Sequence, residues 1–404
     1  MVDAQVYYPP AASTGWARPS QWLPMPTPGA EEMDCLLAIT NDDSNYIAFT
    51  ITGGAYYVDW GDGNGLIPYG SGATAYGPQQ NVTFTNGSAS IGWPGATALV
   101  AGQIVRFLTT GALPTNFATG TNYFVSATGL SSTTFQLAAT NGGTPIVAGS
   151  AGSGTQTALV TYDFATFDPS NLTLTTAGYK QAIVKVTPQS GQHITGITFQ
   201  VKHPILTTSG TPTWLDIAIQ CGNCTSLVVG GTTITCGWIQ RVNVLSIGNI
   251  TNFTNVFYNC SSLQSVPLFN TAAGTNFTNM FLNCFSLQSV PLFNTAAGTN
   301  FTNMFLNCNS LQSVPLFNTA AGTNFTNMFL NCFSLAEGAM AGTTYAISYT
   351  ACKLSEAALV AIFTALGSAN GGSQTITVTG TWGDALLTAA DMAIATGKNW
   401  TVAT

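Results

Sequence analysis

Charged residues are scarce in this chain. Of its 404 residues only 8 are Lys or Arg and 15 are Asp or Glu, giving a formal net charge of -7. So few cations cannot neutralise a run of phosphates, which excludes nucleic acid as a partner. The same shortage excludes docking on an anionic membrane surface. Histidine is rarer still, with only His193 and His203. Long apolar runs are missing too. Gly, Thr and Asn interrupt every one, so no stretch reads as a membrane span and no membrane insertion is expected. The opening residues Met1 to Pro10 lack the basic start and apolar centre of a signal peptide.

What is there is 46% hydrophobic residues and 42 glycines, on a surface of Thr, Asn, Ser, Gln and Gly. This composition predicts a folded chain of several domains with real cores. A neutral polar coat gives little electrostatic steering and suits shells, fibres and adhesins better than cytosolic enzymes.

Internal repetition is the strongest signal. Leu-Gln-Ser-Val-Pro-Leu-Phe-Asn-Thr at Leu263–Thr271 recurs from Leu287 and from Leu311, a period of 24. Cys260, Cys284, Cys308 and Cys332 share one phase, and Leu263, Leu287, Leu311 and Leu335 share another. A unit this short cannot bury its own apolar face, whereas stacked units can. The period therefore predicts a right-handed solenoid over 206–350, each coil adding roughly 5 Å, with these two columns as scaffold. A short strand is expected near Ser265–Leu268. A tight or helical turn is expected at Asn276–Phe281, opened by a Thr or Asn cap. Asn283, Asn307 and Asn331 are expected to satisfy backbone groups in the turn before each strand. Upstream, 206–250 read as degenerate or capping coils, with Trp214–Ile219 the first coil or the junction to the preceding domain. Downstream, 351–404 read as a cap: a helix over Ser355–Leu366, a strand at Thr375–Thr379, a second helix at Thr388–Thr396, and Trp400 and Val402 closing the end.

The N-terminal half reads as β structure behind an arm. Residues 1–34 are rich in proline and aromatics, including Tyr7, Tyr8, Trp16 and Trp22. Proline favours extended chain, so these four residues suit a docking arm on a partner subunit, or an arm folded back on its own domain. Strands at Ile47–Ile51, Ala55–Trp60 and Ala182–Thr187 place a β-sandwich over 35–79 plus 161–205. Strands at Val82–Phe84, Ile104–Phe107, Tyr123–Val125 and Thr134–Leu137 place a small β domain over 80–160, inserted at a surface hairpin. Asp59-Trp60-Gly61-Asp62-Gly63 reads as a tight turn, since the full calcium loop is absent.

Little here suggests catalysis. His193 and His203 have no obvious nucleophile or metal partner. Glycan-cleaving proteins usually depend on a pair of acids at a cleft, and no charged residue of either sign lies between Arg241 and Glu337. The remaining acids of interest, Asp59, Asp62 and Asp216, sit in turn or core-edge contexts. Cys221 and Cys224 have the spacing of a redox or zinc pair. No second pair accompanies them, so buried small hydrophobes are the better reading, with a disulfide or a rare metal as the alternatives. No enzyme activity, cofactor or metal is expected.

The repeat resembles the leucine-rich repeats of the BspA-like surface proteins through Asn-Met-Phe-x-x-Cys-x-Ser-Leu at Asn279–Leu287 and Asn303–Leu311. The Trp-Gly-Asp-Gly segment resembles the turn of PKD-like β-sandwich domains. Val105–Gly111, Gly120–Val125 and the ending Leu386–Val402 resemble pieces of bacteriophage tail and virion proteins. These resemblances imply a mainly β, multi-domain virion protein: a sandwich with an inserted β domain, then a leucine-rich-repeat-like solenoid. The implied role is a tail-fibre or adhesin-like exterior protein that contacts a host surface glycan or protein. The alternatives are a capsid decoration, connector or baseplate protein that binds only virion partners, and a cellular surface adhesin. Other virion proteins and further copies of the chain are the expected partners.

Overall fold

The computed structural model describes residues 22–23, 26–40, 47–95, 99–160, 162, 179–204, 212–232 and 234–404. The described residues are mainly β, with strands in several sheets and two α-helices. Of the four arm aromatics, Tyr7, Tyr8 and Trp16 lie outside the described residues. Trp22 is buried, and its indole N–H donates to the Tyr179 hydroxyl at 3.1 Å. It packs with Leu36, Ala38 and Leu215.

The first strands are β1 (Glu32–Ile39), β2 (Ile47–Gly53), β3 (Tyr56–Asp59), β4 (Leu66–Tyr69) and β5 (Thr74–Gly77). The chain then makes seven short strands: β6 (Gln79–Phe84), β7 (Ile91–Gly92), β8 (Ile104–Thr109), β9 (Tyr123–Val125), β10 (Thr134–Phe135), β11 (Leu137–Ala138) and β12 (Gln156–Val160). They form their own sheet, ordered β10-β7-β6-β12-β8-β9-β11, around a separate core that includes Phe84, Trp93, Phe107 and Phe135. Entry and exit are tied together, because the Val160 N–H donates to the Pro78 carbonyl at 2.9 Å.

After this excursion come β13 (Lys180–Pro188), β14 (Ile194–Thr198), β15 (Trp214–Cys221), β16 (Ser226–Val228) and β17 (Arg241–Ile247). One six-stranded sheet runs β17-β15-β1-β13-β3-β4 and one four-stranded sheet runs β16-β14-β2-β5. They share a core in which Phe49 meets Trp60, Phe199 and Trp214 at ring separations of 5.6, 6.1 and 6.5 Å. β1 is almost continuously buried because its second face is also covered, by the Trp22 cluster. Both sheets take in strands from beyond residue 205, where the sequence alone places the end of this region. Trp214–Ile219 belongs to β15, which pairs antiparallel with β1 and parallel with β17.

That change of direction starts the repeat. Arg241 at the start of β17 bridges Ser265 in parallel. On the other side, the Val229 and Gly230 N–H groups donate to the Val256 carbonyl at 2.8 and 3.1 Å. From here the bridges step by 24: Asn252, Asn276, Asn300 and Asn324 in one row, and Ser289, Ser313 and Glu337 in another. Each 24-residue layer therefore lies in register on the next.

Within a layer the backbone alternates its bonding. The Phe277, Asn279, Phe281 and Asn283 N–H groups donate to Asn300, Thr302, Met304 and Leu306 of the next layer at 2.8–3.0 Å. The intervening Met280, Leu282 and Cys284 N–H groups donate back within their own layer, to Phe277, Asn279 and Phe281. This geometry needs a left-handed residue every fourth position. Asn279 and Asn283 supply it at φ 56° and 62°, as do their counterparts in the neighbouring layers. Asparagine tolerates that region better than any other side chain with a Cβ. Asn276 opens the turn, its Oδ1 accepting from the Thr278 N–H at 3.0 Å.

Identical residues in register stack on themselves. Phe253, Phe277, Phe301 and Phe325 form one column at 5.3–5.4 Å, within 3° of parallel. Phe257, Phe281, Phe305 and Phe329 form another, which ends on Tyr349 at 5.0 Å. Each such pair contributes about 0.5–1.5 kcal/mol beyond the area it buries. The strand expected near Ser265–Leu268 is reduced to single bridges at Ser265, Ser289 and Ser313. The reason is Pro267 and its counterparts, which have no N–H to extend a ladder.

The last layers change form. β18 (Phe317–Asn318) pairs with β19 (Met340–Ala341), and a parallel sheet follows: β20 (Ile347–Ser348), β21 (Gln374–Thr377) and β22 (Trp400–Ala403). Helix α1 (Glu356–Ala365) lies between β20 and β21 and is capped by the Ser355 side chain. Helix α2 (Ala389–Thr396) lies between β21 and β22 and opens with a Thr388–Asp391 capping box. Lys398 Nζ donates to the Phe363, Thr364 and Leu366 carbonyls at 3.1, 2.7 and 2.8 Å. A cation at the carbonyl end of α1 opposes the helix dipole there. Among the described residues no helix is long and apolar enough to cross a membrane.

Candidate functional site

The scaffold columns come first. Cys260, Cys284, Cys308, Cys332 and Leu263, Leu287, Leu311, Leu335 are all buried inside the stack. The thiols also bond. Cys284, Cys308 and Cys332 each donate to a phenylalanine carbonyl of the preceding layer (Phe257, Phe281 and Phe305) at 3.1 Å. A small apolar side chain with a weak donor fits that position.

Asn259, Asn283, Asn307 and Asn331 form an amide ladder along the outside. Each donates its Nδ2 to the Oδ1 of the preceding one at 2.6–2.7 Å. The ladder ends where Asn259 Nδ2 donates to the Gly231 carbonyl at 3.0 Å. Sequence reasoning assigns these side chains to backbone groups instead. The left-handed backbone lifts each amide outward, where its nearest partner is its own copy. An amide has two N–H donors and two acceptor lone pairs on its oxygen. The ladder uses one donor and one acceptor of Asn259 and of Asn283.

Beside this ladder the residue after each column cysteine faces outward. That column reads Gly237, Ser261, Phe285, Asn309, Phe333. It is also the single place where the three copies 260–283, 284–307 and 308–331 differ. Where it holds Gly237 and then Ser261, bulk is missing. An open hollow of about 460 Å³ results. Its lining includes Trp238, the exposed Phe285, Ser261 and Ser262. Thr235, Asn259 and Asn283 complete the lining. None of these side chains is charged. The hollow offers two aromatic side chains, amides and hydroxyls, and no group that titrates near neutrality. Its sequence signal is the one position that varies between otherwise identical copies.

Residues 232–340 match the family described as "Mycoplasma protein of unknown function, DUF285". The match takes in the hollow and the regular layers but is a minority of the chain. No curated protein and no solved structure matches the chain.

The other candidate groups are engaged in structure. Asp59 Oδ1 accepts from the Gly61 N–H at 2.9 Å, and Asp62 accepts from the backbone and side chain of Asn64 at 3.0 and 2.9 Å. These bonds make the turn. Asp216 is buried on β15, opposite Leu36 of β1. Asp34, on the other side of Cys35, is pushed up to about 6 by burial, partly offset by the nearby Lys185. His203 is buried edge-on to Tyr76 and held neutral, its pKa lowered to about 3 by burial and then by the charge of Arg106. His193 lies at the surface, where its Nδ1 is 3.1 Å from Asn223 Nδ2. Among the described residues no group of three His, Cys, Asp or Glu could hold a metal ion.

Cys221 and Cys224 are not bonded to each other; all nine cysteines are free and buried. Burial raises every thiol, Cys224 to about 11 and Cys236 and Cys352 to about 12. The reactive thiolate is therefore nearly absent at neutral pH. An aromatic disulfide reagent at about pH 8, below the ordinary thiol range, should titrate almost none of the nine in the native protein and all of them after denaturation. Prompt reaction of Cys221 and Cys224 in the native state would contradict this assignment.

Proposed function

We propose that this chain is a non-enzymatic structural component of a bacteriophage particle, a tail-fibre or adhesin-like exterior protein that contacts the host surface. In this reading the first two sheets are a PKD-like β-sandwich that carries residues 80–160 as an inserted domain. The 24-residue layers are a leucine-rich-repeat-like solenoid of the BspA type, closed by the units around α1 and α2. The observation that carries the reading is the hollow: a stack of near-identical, uncharged layers varies at one outward column, and that column lines a recess. A scaffold alone has no need of such variation. A second reading, in which the chain binds only other virion proteins as a decoration, connector or baseplate piece, draws on a different feature. Leu268, Leu292 and Leu316 stand in register on the outside at 62, 59 and 56% exposure, an apolar stripe suited to lateral contact.

Cryo-electron microscopy of particles from the source culture tests both. Layered density pointing outward from the tail is the expected result. Density buried between other virion proteins along the leucine stripe would replace the first reading with the second. Absence of the chain from every particle would overturn both and favour a cellular surface adhesin.

A further inference from the structure

The composition of the hollow specifies its ligand class. We infer that the recess lined by Trp238 and Phe285 binds an uncharged saccharide, with Ser261 setting the room available. The inference rests on the attachment reading and names what is recognised.

Aromatic side chains, amides and hydroxyls together suit few ligand types. Sugars present an apolar C–H face to an aromatic ring and a rim of hydroxyls that both donate and accept. The exposed Phe285 and the part of Trp238 not packed against the Leu36, Ala38 and Leu215 cluster supply the aromatic surfaces. Asn259 and Asn283 each keep one N–H and one lone pair beyond the ladder that orients them. Ser261 and Ser262 add hydroxyls to the lining, that of Ser261 also donating to the Gly237 carbonyl at 3.4 Å. Pinning the amides in a ladder reduces the entropy lost when a ligand binds them. The hollow of about 460 Å³ is open to solvent, which suits a ligand that lies along the surface.

The absence of charge among the lining residues narrows the class. No Lys or Arg is there to pair with a phosphate, sulfate or carboxylate, and the net charge of -7 opposes an anion. A sialylated, phosphorylated or uronic-acid sugar would be desolvated without a counter-charge. No acid lines the recess either, so a bound glycosidic bond meets no general acid or nucleophile. The site binds and does not cleave.

The column also suggests that the saccharide is extended. Within the column the aromatics are Phe285 and Phe333, two layers apart with Asn309 between, while Trp238 stands one position along, in phase with Ser262. Two layers span roughly 10 Å, comparable to a disaccharide repeat in an extended chain. A linear oligosaccharide lying along the stack from the hollow meets Phe285 and then Phe333.

The test is a printed panel of neutral oligosaccharides of glucose, galactose, mannose and N-acetylglucosamine, with sialylated and phosphorylated sugars beside them. It is probed with the full chain and with two variants. Ser261→Phe fills the hollow with a residue the same column already uses at Phe285 and Phe333, so the stack accepts it. Phe285→Ser removes the exposed aromatic side chain. The expected result is retention of the native chain on at least one neutral oligosaccharide and none of the anionic ones. Each variant should weaken that binding roughly tenfold or more with its thermal unfolding unchanged. Retention on no neutral sugar, or equal binding by Ser261→Phe, would overturn the inference. Binding of labelled chain to host cells reads the attachment proposal separately. Cell binding that survives Ser261→Phe sinks the saccharide site and leaves attachment standing. Sugar binding without cell binding does the reverse.

Discussion

Replacing Gly230 by alanine is expected to separate the repeat from the sheets that start it. Gly230 follows Val229 where the four-stranded sheet hands over to the first layer, and both N–H groups donate to the Val256 carbonyl. A Cβ at Gly230 would lie 1.9 Å from the Tyr258 carbonyl oxygen and 2.9 Å from Cys260 Sγ. Its φ is not in the left-handed region, so space alone requires glycine here. The obstructing atom is backbone and cannot swing aside as a side-chain tip would. Relief means moving the Tyr258 layer away, which stretches both bonds to Val256 and opens the core at Cys260. Overpacking of this kind costs about 1–3 kcal/mol and occasionally more, and a backbone obstruction belongs at the top of that range. For a chain of 404 residues, a melting temperature lower by about 3–4 °C is expected. Thermal unfolding should also split into two steps, as the layers and the sheets lose their coupling. Gly70→Ala is the control, since a Cβ there meets nothing within 4 Å. A Gly230→Ala protein that melts with the native chain would show that the layers do not press on the sheet at this point.

The repeat was legible because identical side chains in register must superpose, and a period of 24 announces that arrangement. The two helices that follow the repeat were legible for local reasons. Ser355 and Thr388 are ordinary N-cap residues, and each helix begins at the next residue. The strands of the 80–160 region showed through β-branched and aromatic runs between glycine-rich turns. The handover was not legible. β15 pairs with β1 across the whole first half of the chain, Glu32 opposite Gln220, and no local pattern carries so distant a pairing. The apolar run Trp214–Ile219 therefore fitted a first coil or a junction equally well. The strand placed at Ser265–Leu268 stops at one bridge because Pro267 outweighs the apolar pattern around it. The role of the outer asparagines was missed because two uses of that side chain compete. It can bond nearby backbone, or it can tolerate the left-handed region, and here the second frees the amide to form a ladder. The hollow escaped motif reading because missing bulk at Gly237 and Ser261 creates it.

A paired deletion tests most directly whether the 24-residue layer is the structural unit that presents the hollow. Removing 308–331 joins Asn307 to Cys332, the same junction as Asn307 to Cys308. The layer before the cut is identical to the one removed except at Phe285 against Asn309. It can therefore remake the contacts to the cap, with Phe305 stacking on Tyr349 as Phe329 does now. Thr295 would take the place of Thr319 beside Thr343, a contact of 2.7 Å. Trp238, Ser261 and Phe285 are untouched. Removing only 308–319 takes out half a layer, which carries the phenylalanine, cysteine and asparagine columns out of phase and strands their backbone groups. Thermal unfolding of both variants, followed by near-ultraviolet circular dichroism of the stacked aromatics, is the measurement. The prediction is a cooperative transition with a native-like aromatic signal for the whole-layer deletion, lowered by only a few degrees, and loss of both for the half-layer deletion. Equal behaviour of the two variants, or collapse of the whole-layer deletion, would contradict the layered stack.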